Sequence, residues 1–525
     1  MSESPAHGSS GYAATAIRGS SWTALQVVVN KAAAAAATVS LGFLLEAQDF
    51  GLAWFAVSAG LLVSMFHVVA FGDVLLASPE RFAALSLRVA RLARIAAGAQ
   101  ALVILAAGMV LASVYPERVG LLGLMGVVAC RPIMDALTVV PLAAMRRSLR
   151  YREISTIDAV TALLASALVV LLAWLGAGPY AIVLPPILLT GVRSLAYRRR
   201  LEPPEPPPGG VDEERSLLPR VAASSIGSYL AGVLFLLETL VLGLFVGDRS
   251  LGLFSFAFGL ASQVNSIVSF QIAGALQPIL GHLGHDPARQ VDGLVRAARI
   301  ISCVLVPLLL TQAAVGGCFI RAMWPGKWDD SVPIFQIISV GQALYVCQWP
   351  SAFLLKAQGR FIGYLKIQIV NIVVAGIAFG VAATLGPAVV QRLSASAGSE
   401  FPPDSQAPLA VAVVAVAMLA VLGPVVFKFA GRPAGLPWRT VLQVLWGPWV
   451  TAAPIAIVAW FAATHVGSMD LSRPVAAFLA ISLGAAFGLA GVALSVFASR
   501  SARADAAAVV RLIRGRLRGP AAFGG

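Results

Sequence analysis

Long apolar segments are the feature that most constrains the fold of this chain. Many run for about 18 residues or more, which is enough for a helix to cross the hydrocarbon core of a bilayer. Clusters of arginine, proline or glycine separate them. Of all residues, 58% are hydrophobic and only 12% are charged, a composition outside the range of soluble globular domains. The sequence therefore predicts an all-α integral membrane protein.

We predict fourteen membrane spans from these segments. Six precede a long polar interruption, at residues 22–45, 52–77, 90–114, 119–142, 157–175 and 180–197. Eight follow it, at residues 218–246, 251–280, 299–323, 332–355, 361–385, 409–429, 441–464 and 474–498. The sixth span is the weakest, because Pro185 and Pro186 lie at its centre and proline removes helical hydrogen bonds. We expect a broken helix there.

The distribution of basic residues indicates the orientation of the chain. If the N-terminus is cytoplasmic, thirty of the 38 lysines and arginines fall in cytoplasmic segments and six in outer loops, with Lys31 and Arg131 inside spans. Cytoplasmic loops of membrane proteins are enriched in lysine and arginine, so both termini are predicted to be cytoplasmic. The formal charge of +14 then follows from topology, and we expect no nucleic-acid partner.

The polar interruption at residues 198–218 is rich in proline and in charged residues. Such a composition forms neither a packed core nor a membrane span, so we predict a cytoplasmic linker. The predicted organisation is a six-helix lobe (1–197), the linker (198–217), a second six-helix lobe (218–430), an extra helix pair (431–498) and a basic cytoplasmic tail (499–525). Within the tail, arginines interspersed with apolar residues at 504–518 favour an amphipathic helix on anionic membrane lipids.

The two predicted lobes share a stretch of similar sequence. Residues 41–56, LGFLLEAQDFGLAWFA, align without a gap on residues 242–257, LGLFVGDRSLGLFSFA. Because each repeat has an even number of spans, both copies have the same orientation in the membrane. We therefore predict a pseudo-two-fold axis along the membrane normal, as in transporters with parallel repeats.

Several motifs, taken in order, resemble the polysaccharide transporter branch of the multidrug/oligosaccharidyl-lipid/polysaccharide exporter superfamily. They are Arg18-Gly19-x-x-Trp22, Asp49-Phe50-Gly51-Leu52, the arginine-rich connection 145–152, Gly252-Leu253-Phe254-Ser255-Phe256-Ala257, Trp324-Pro325-Gly326-Lys327-Trp328 and Lys356-Ala357-Gln358-Gly359-Arg360. The resemblance covers about residues 17–385 and depends on the order and spacing of the motifs. It implies two six-helix lobes around a central cavity, with alternating access.

The resemblance also implies a function. Members of this branch flip a polyprenyl-diphosphate-linked oligosaccharide from the cytoplasmic to the outer face of the bacterial inner membrane, for exopolysaccharide or lipopolysaccharide biosynthesis. The lipid-linked oligosaccharide is then the main partner, and a polysaccharide polymerase and glycosyltransferases are further candidates. We expect no enzymatic activity and no cofactor other than a coupling ion, H⁺ or Na⁺.

Lys31 is predicted to lie near the middle of the membrane. It follows Trp22 by nine residues, about 14 Å along a helix at 1.5 Å per residue. A charge at that depth is costly and marks a candidate functional site. We predict that Lys31 attracts the diphosphate as a point charge. The alternative is an ion pair with a carboxylate of another helix, such as Glu238.

The remaining intramembrane charges have both structural and functional interpretations. Arg131 and Asp135 are four residues apart, so they share a helix face and favour a self-neutralising pair, with Arg131 also a candidate for substrate binding. Glu238 stands where many members of the branch have aspartate, and it is a candidate carrier of a coupling proton or sodium ion. Asp158 lies near the predicted cytoplasmic end of its span, where we expect it to reach water.

Polar uncharged residues within spans are candidates for lining a hydrophilic cavity. In many membrane proteins such side chains instead join helices to one another. The candidates are Asn30, Asn265, Asn371, Gln263, Gln271 and His67. A further group, His282-x-x-His285-Asp286, lies in a short predicted loop and is typical of a solvated turn, so we predict no metal site.

Other function classes are less consistent with these residues. A superfamily antiporter that exports organic cations is the first alternative, but a cation at the depth of Lys31 repels such substrates. A flippase for a peptidoglycan lipid precursor is the second. A membrane scaffold without transport is the third, and costly intramembrane charges argue against it.

Overall fold

The structure is a computed structural model. It describes residues 9–63, 71–72, 75, 82–148, 150–200, 214–282, 286–346, 348–358, 360–396, 398, 401–505 and 507. The regular secondary structure of these residues is helical, and eleven of the helical segments in them are long and apolar enough to cross a membrane. The prediction of an all-α, multi-pass membrane protein is confirmed.

The chain forms two compact units, Met1–Ser255 and Phe256–Gly525. The first unit contains α1 (Ser9–Leu44), α2 (Ala47–Val63), α3 (Phe82–Val114), α4 (Leu121–Arg147), α5 (Tyr151–Trp174), α6 (Tyr180–Arg198) and α7 (Glu214–Phe245). The helix α8 (Asp248–His282) begins in the first unit and continues into the second. The second unit continues with α9 (Pro287–Met323), α10 (Val332–Tyr345), α11 (Gln348–Ala357), α12 (Phe361–Ser396), α13 (Pro403–Ala430), α14 (Trp438–Ser468) and α15 (Arg473–Ala498).

These helices lie where the apolar pattern places them, with two differences. The α6 helix is continuous through Pro185 and Pro186, so the expected break is wrong. Packing explains the continuity, because α6 lies along both α4 and α5 and Pro185 is buried. The tenth predicted span falls in one candidate membrane segment, Asp329–Leu355, which contains two helices, since α10 ends at Tyr345 and α11 begins at Gln348.

Other sequence predictions extend beyond what the structure describes. The total of fourteen spans remains a prediction, because the predicted spans 52–77, 218–246 and 251–280 include residues or side chains outside the described part. Most of the linker, at residues 201–213, and the tail beyond residue 507 also lie outside it. The first compact unit extends past the predicted linker, because α7 packs against α2.

Small residues bring the helices of the first unit together. The α5 helix packs on α1 and α6, α6 packs on α4, and α4 packs on α3. A Cβ atom added at Gly60 of α2 would lie 2.3 Å from Val128, and one at Gly108 of α3 would lie 2.7 Å from Met125. Because lipid provides no hydrophobic drive between helices, such close backbone approaches supply much of the packing energy.

The N-terminal ends of α2 and α8 make a reciprocal contact within the first unit. A Cβ atom at Gly51 would lie 1.9 Å from the carbonyl oxygen of Asp248, and one at Gly252 would lie 1.6 Å from the carbonyl oxygen of Ala47. These four residues occupy equivalent positions in the aligned stretches 41–56 and 242–257. The two glycines of the repeat are therefore needed where the two helix ends touch. The pseudo-two-fold axis remains a prediction.

Arg118 ties the end of α3 to the turn between α7 and α8. Its guanidinium donates a 2.8 Å hydrogen bond to the carbonyl of Val246, lies 3.1 Å from the Asp248 carboxylate, and stacks over the Phe55 and Tyr115 rings. Burial raises the pKa of the Asp248 carboxyl above its ordinary value, while the adjacent arginine works in the opposite direction.

In the second unit, α9 is the central helix. It packs against α10, α14 and α15, and the final pair, α14 and α15, also pack against each other. Close approaches at Gly488 and Gly491 of α15, to Leu308 and Pro307, allow this contact. The start of α9 is capped by Asp286, whose carboxylate accepts hydrogen bonds from the backbone N–H groups of residues 288 and 289. This cap is consistent with the predicted turn.

Candidate functional site

A cavity of about 890 Å³ lies inside the first unit. Six helices line it: α1, α2, α4, α5, α6 and α7. Its walls are mostly apolar, but polar and charged side chains also face it. These are Gln26, Asn30, Arg131, Asp135, Asp158, Thr161, Ser166, Thr190, Arg193 and Tyr229. A largely apolar cavity with a few polar groups is typical of a ligand-binding site.

Helical periodicity explains how single helices contribute whole strips of the wall. On α5, residues 158, 161, 162, 165 and 166 line the cavity, and this spacing of three and four places them on one face. On α1, residues 26, 30 and 34 are spaced by four and also share a face. These two faces carry polar or small side chains, so they leave both space and hydrogen-bonding groups.

Asp158 is the centre of a hydrogen-bonded cluster in the wall. One carboxylate oxygen accepts a hydrogen bond from the Tyr197 hydroxyl, and the other accepts one of 3.2 Å from the side-chain amide of Gln26. The side chain is only 20% exposed. The expectation that Asp158 simply reaches water was therefore wrong, because its two oxygens join α1, α5 and α6.

Arg193 of α6 faces Asp158 without a hydrogen bond to it. The Nη1 atom lies 3.8 Å from the nearer carboxylate oxygen, a distance that permits attraction between charges but not a hydrogen bond. The Nε atom is buried and has no hydrogen-bond partner in the described part of the chain. The guanidinium therefore combines a nearby countercharge with one buried donor, Nε, that is unpaired within the described residues.

Arg131 and Asp135 form the ion pair that their four-residue spacing predicts. The distance from Nε to the carboxylate oxygen is 3.8 Å, and the side chains are 46% and 36% exposed. Both residues line the cavity. Together with Asp158 and Arg193, they place two positive and two negative side chains on its walls, so this part of the lining is formally neutral.

The structure brings three of the predicted site residues together and separates the others. Asn30, Arg131 and Asp135 line the cavity, and the Oδ1 atom of Asn30 is buried without a hydrogen-bond partner in the described part of the chain. Lys31 and Glu238 belong to the same unit but are not among the residues that line this cavity. The roles predicted for all five remain predictions.

The other two predicted site residues, Asn265 and Asn371, lie in the second unit. Asn371 is buried, at 3% exposure, and its amide nitrogen has no hydrogen-bond partner among the described residues. Gln263 donates to the carbonyl of Gly259 in its own helix. The remaining polar candidates, His67 and Gln271, lie outside the residues or side chains that the structure describes.

Asp158 and Arg193 are the cavity residues whose role sequence reasoning missed. Arg193 was counted with the cytoplasmic arginines, although it lies within the predicted span 180–197. The position of Arg193 within a predicted span could have identified it from the sequence, because a charge inside a span marks a candidate functional site. The pairing of Asp158 and Arg193, by contrast, depends on how α5 and α6 face each other.

Comparisons with known proteins bear on both family and fold. A family model for polysaccharide biosynthesis proteins matches residues 41–333, more than half of the chain. The teichuronic acid biosynthesis protein TuaB of Bacillus subtilis is 26% identical over 128 residues, which span 24% of this chain and 26% of that relative.

One solved structure shows the fold. The lipid II flippase MurJ, in an inward closed conformation, matches with a TM-score of 0.61 and 9% identity over 90% of this chain and 98% of that one. A MATE structure in the straight conformation matches with a TM-score of 0.46 and 13% identity over 80% of this chain and 96% of that one. The MurJ match shows a shared fold.

Proposed function

The chain belongs to the polysaccharide biosynthesis protein family, and on that premise we propose that it flips a lipid-linked saccharide across the bacterial inner membrane. The family match agrees with the resemblance to polysaccharide transporters that the sequence motifs indicated. The observation that carries the proposal is the cavity with charged side chains on its walls, inside the first unit of this multi-pass membrane protein. Charged side chains are costly at membrane depth, so their convergence on one cavity supports a path for a polar headgroup.

In the proposed reaction, no covalent bond changes. The saccharide headgroup enters the cavity from the cytoplasm, while the polyprenyl tail stays in the surrounding lipid. Lys31 attracts the diphosphate, and Asn30 and Arg131 contact the headgroup. The protein then changes conformation and releases the headgroup at the outer face, in an alternating-access cycle.

The proposal also covers the coupling ion, the glycan contacts in the second unit, the membrane orientation and the protein partners. Glu238 is the proposed carrier of a coupling proton or sodium ion, and Asn265 and Asn371 are proposed contacts of the glycan in the second unit. Both termini are proposed to be cytoplasmic, as the distribution of basic residues predicts. A polymerase and glycosyltransferases of surface polysaccharide synthesis are the proposed protein partners.

Reconstitution tests the proposed function directly. Proteoliposomes that contain the full chain should move a fluorescent polyprenyl-diphosphate saccharide from one leaflet to the other faster than empty liposomes. Protection of the label from a membrane-impermeant quencher measures the movement. Equal rates with and without protein would overturn the proposal.

Lys31→Ala tests the role of the lysine within that function. We expect this variant to fail to complement a flippase-deficient strain at normal protein abundance, because the diphosphate loses its point charge. The matched control is Lys366→Ala, since Lys366 is an exposed lysine on α12 and should complement fully. Full complementation by the Lys31 variant would contradict its role in binding the diphosphate.

A further inference from the structure

We propose that Arg193 and Asn30 form a binding subsite for a saccharide that carries an oxyanion. The inference rests on the proposed function and deepens it, because it assigns headgroup contacts to specific cavity residues and adds Arg193. The ligand chemistry is a hydroxyl-bearing sugar with a phosphate or a carboxylate attached. Arg193 binds the oxyanion, and Asn30 accepts a hydrogen bond from a sugar hydroxyl.

The first step of the argument is that Asp158 does not saturate Arg193. The Tyr197 hydroxyl donates to one of the carboxylate oxygens of Asp158, and the Gln26 amide donates to the other. The guanidinium of Arg193 stays 3.8 Å away. Asp158 therefore neutralises the arginine across a short distance while its oxygens are engaged by other donors.

The second step is that Arg193 is both available and held in place. Its side chain is 33% exposed and lines the cavity. The buried Nε atom has no hydrogen-bond partner within the described residues, and an unpaired buried donor is unfavourable. A guanidinium presents several N–H groups in a planar fork that matches the two oxygens of a phosphate or carboxylate.

The third step is that the same cavity offers an unpaired acceptor. The Oδ1 atom of Asn30 is buried and has no hydrogen-bond partner in the described structure, and Asn30 lines the cavity on α1. A carboxylate or a fully deprotonated phosphate ester has no donor for this atom. A sugar hydroxyl does, so the ligand that satisfies both groups carries an oxyanion and hydroxyls on one molecule.

The formal neutrality of the charged lining points in the same direction. Arg131 and Arg193 are balanced by Asp135 and Asp158, so long-range attraction does not favour a small multivalent anion here. Selectivity comes instead from hydrogen bonds of defined geometry. We therefore expect a charged sugar to bind more tightly than either an uncharged sugar or inorganic phosphate.

Equilibrium binding to the full chain in lipid nanodiscs tests the proposal without any translocation step. The four probes are glucose 1-phosphate, glucuronic acid, glucose and inorganic phosphate. We expect at least one charged sugar to bind at least tenfold more tightly than glucose and phosphate. A preference for glucose 1-phosphate identifies the phosphate next to the lipid as the natural oxyanion, and a preference for glucuronic acid identifies an acidic sugar.

Variants locate the subsite. Arg193→Gln should remove the tenfold preference, and Arg193→Lys, which keeps the charge but not the fork, should retain only part of it. The matched control is Arg199→Gln, because Arg199 is exposed just after the end of α6 and should bind like the unmodified protein. Asn30→Leu should weaken binding of the charged sugar more than it weakens binding of inorganic phosphate. Unaltered melting temperatures of the unliganded variants verify the fold.

Three results would overturn the proposal. One is the absence of saturable binding of either charged sugar up to roughly 10 mM, a concentration that detects very weak complexes. Another is an unchanged preference in Arg193→Gln. The last is an equal loss in Arg193→Gln and Arg199→Gln. Because soluble sugars report binding alone, a chain that flips the lipid-linked substrate but binds no charged sugar would refute the subsite and not the proposed function.

Discussion

The two compact units differ in where their polar side chains converge. In the first unit, charged residues converge on a cavity, and the Nε donor of Arg193 there has no hydrogen-bond partner among the described residues. In the second unit, glutamines join neighbouring helices: Gln312 donates to the carbonyl of Ala261 and to the Ser339 hydroxyl, both at 2.9 Å, and Gln342 donates to the Ser262 hydroxyl at 2.8 Å. The first unit also joins helices through Asp158, but it leaves unpaired atoms of Arg193 and Asn30 beside a cavity. The glutamine contacts of the second unit hold neighbouring helices together.

The same contrast appears at equivalent positions of the sequence repeat. Phe55 and Phe256 align with each other, and each is buried beside the end of a long helix. Phe55 lies under the Arg118 guanidinium, and Phe256 stacks on the Trp328 ring with centroids 3.9 Å apart. In the first unit Phe55 therefore packs against a guanidinium as well as the Tyr115 ring, whereas in the second unit Phe256 packs face to face on a tryptophan ring.

The largest effect is expected for Trp328→Ala. This side chain is 0% exposed, and its loss leaves a cavity against Phe256, so we expect a cost of about 3–5 kcal/mol in the free energy of unfolding. Unfolding of the detergent-solubilised protein measures it. The control is Trp174→Ala, whose side chain is 71% exposed and should change stability little. Equal losses of unfolding free energy in the two variants would contradict a stabilising role for the stacking of Trp328 on Phe256.

An intermediate effect is expected for Gly51→Ala and Gly252→Ala. Each new methyl group would meet a backbone carbonyl at less than 2 Å, and such overpacking costs about 1–3 kcal/mol. Because the contact is reciprocal, the two losses should be similar. Gly126→Ala is the control, since nothing lies within 4 Å of the added atom and alanine is the better helix former. Strongly unequal losses of unfolding free energy would show that the two copies of the repeat do not contribute equally to stability.

The smallest effect on the free energy of unfolding is expected for substitutions of polar side chains in the two units. Gln312→Leu removes two interhelical hydrogen bonds and should cost about 1–2 kcal/mol. By contrast, Arg131→Gln removes a half-exposed ion pair, and such pairs contribute about 0–1 kcal/mol. Chemical denaturation of both variants in the same detergent compares them. A greater loss for the arginine variant would contradict the assignment of stabilising polar groups to the second unit.

Much of the fold could be predicted from the sequence. Apolar segments of membrane-spanning length predicted the helices, and the four-residue spacing of Arg131 and Asp135 predicted their ion pair. Asn30 lines a cavity in the structure, and its predicted role in binding substrate stays a prediction. The break expected in α6 was wrong, because proline affects local hydrogen bonds while packing on two neighbouring helices keeps the helix continuous.

The sequence alone determined the properties that depend on local pattern. These are the helical membrane class, the approximate positions of the helices, and the two glycines that recur in the repeat. Only the tertiary structure decided which polar residues meet. Asp158 binds Gln26, which is 132 positions away, and Tyr197, which is 39 positions away. Periodicity predicts the face on which a residue lies, but the rotation and packing of each helix decide what that face meets.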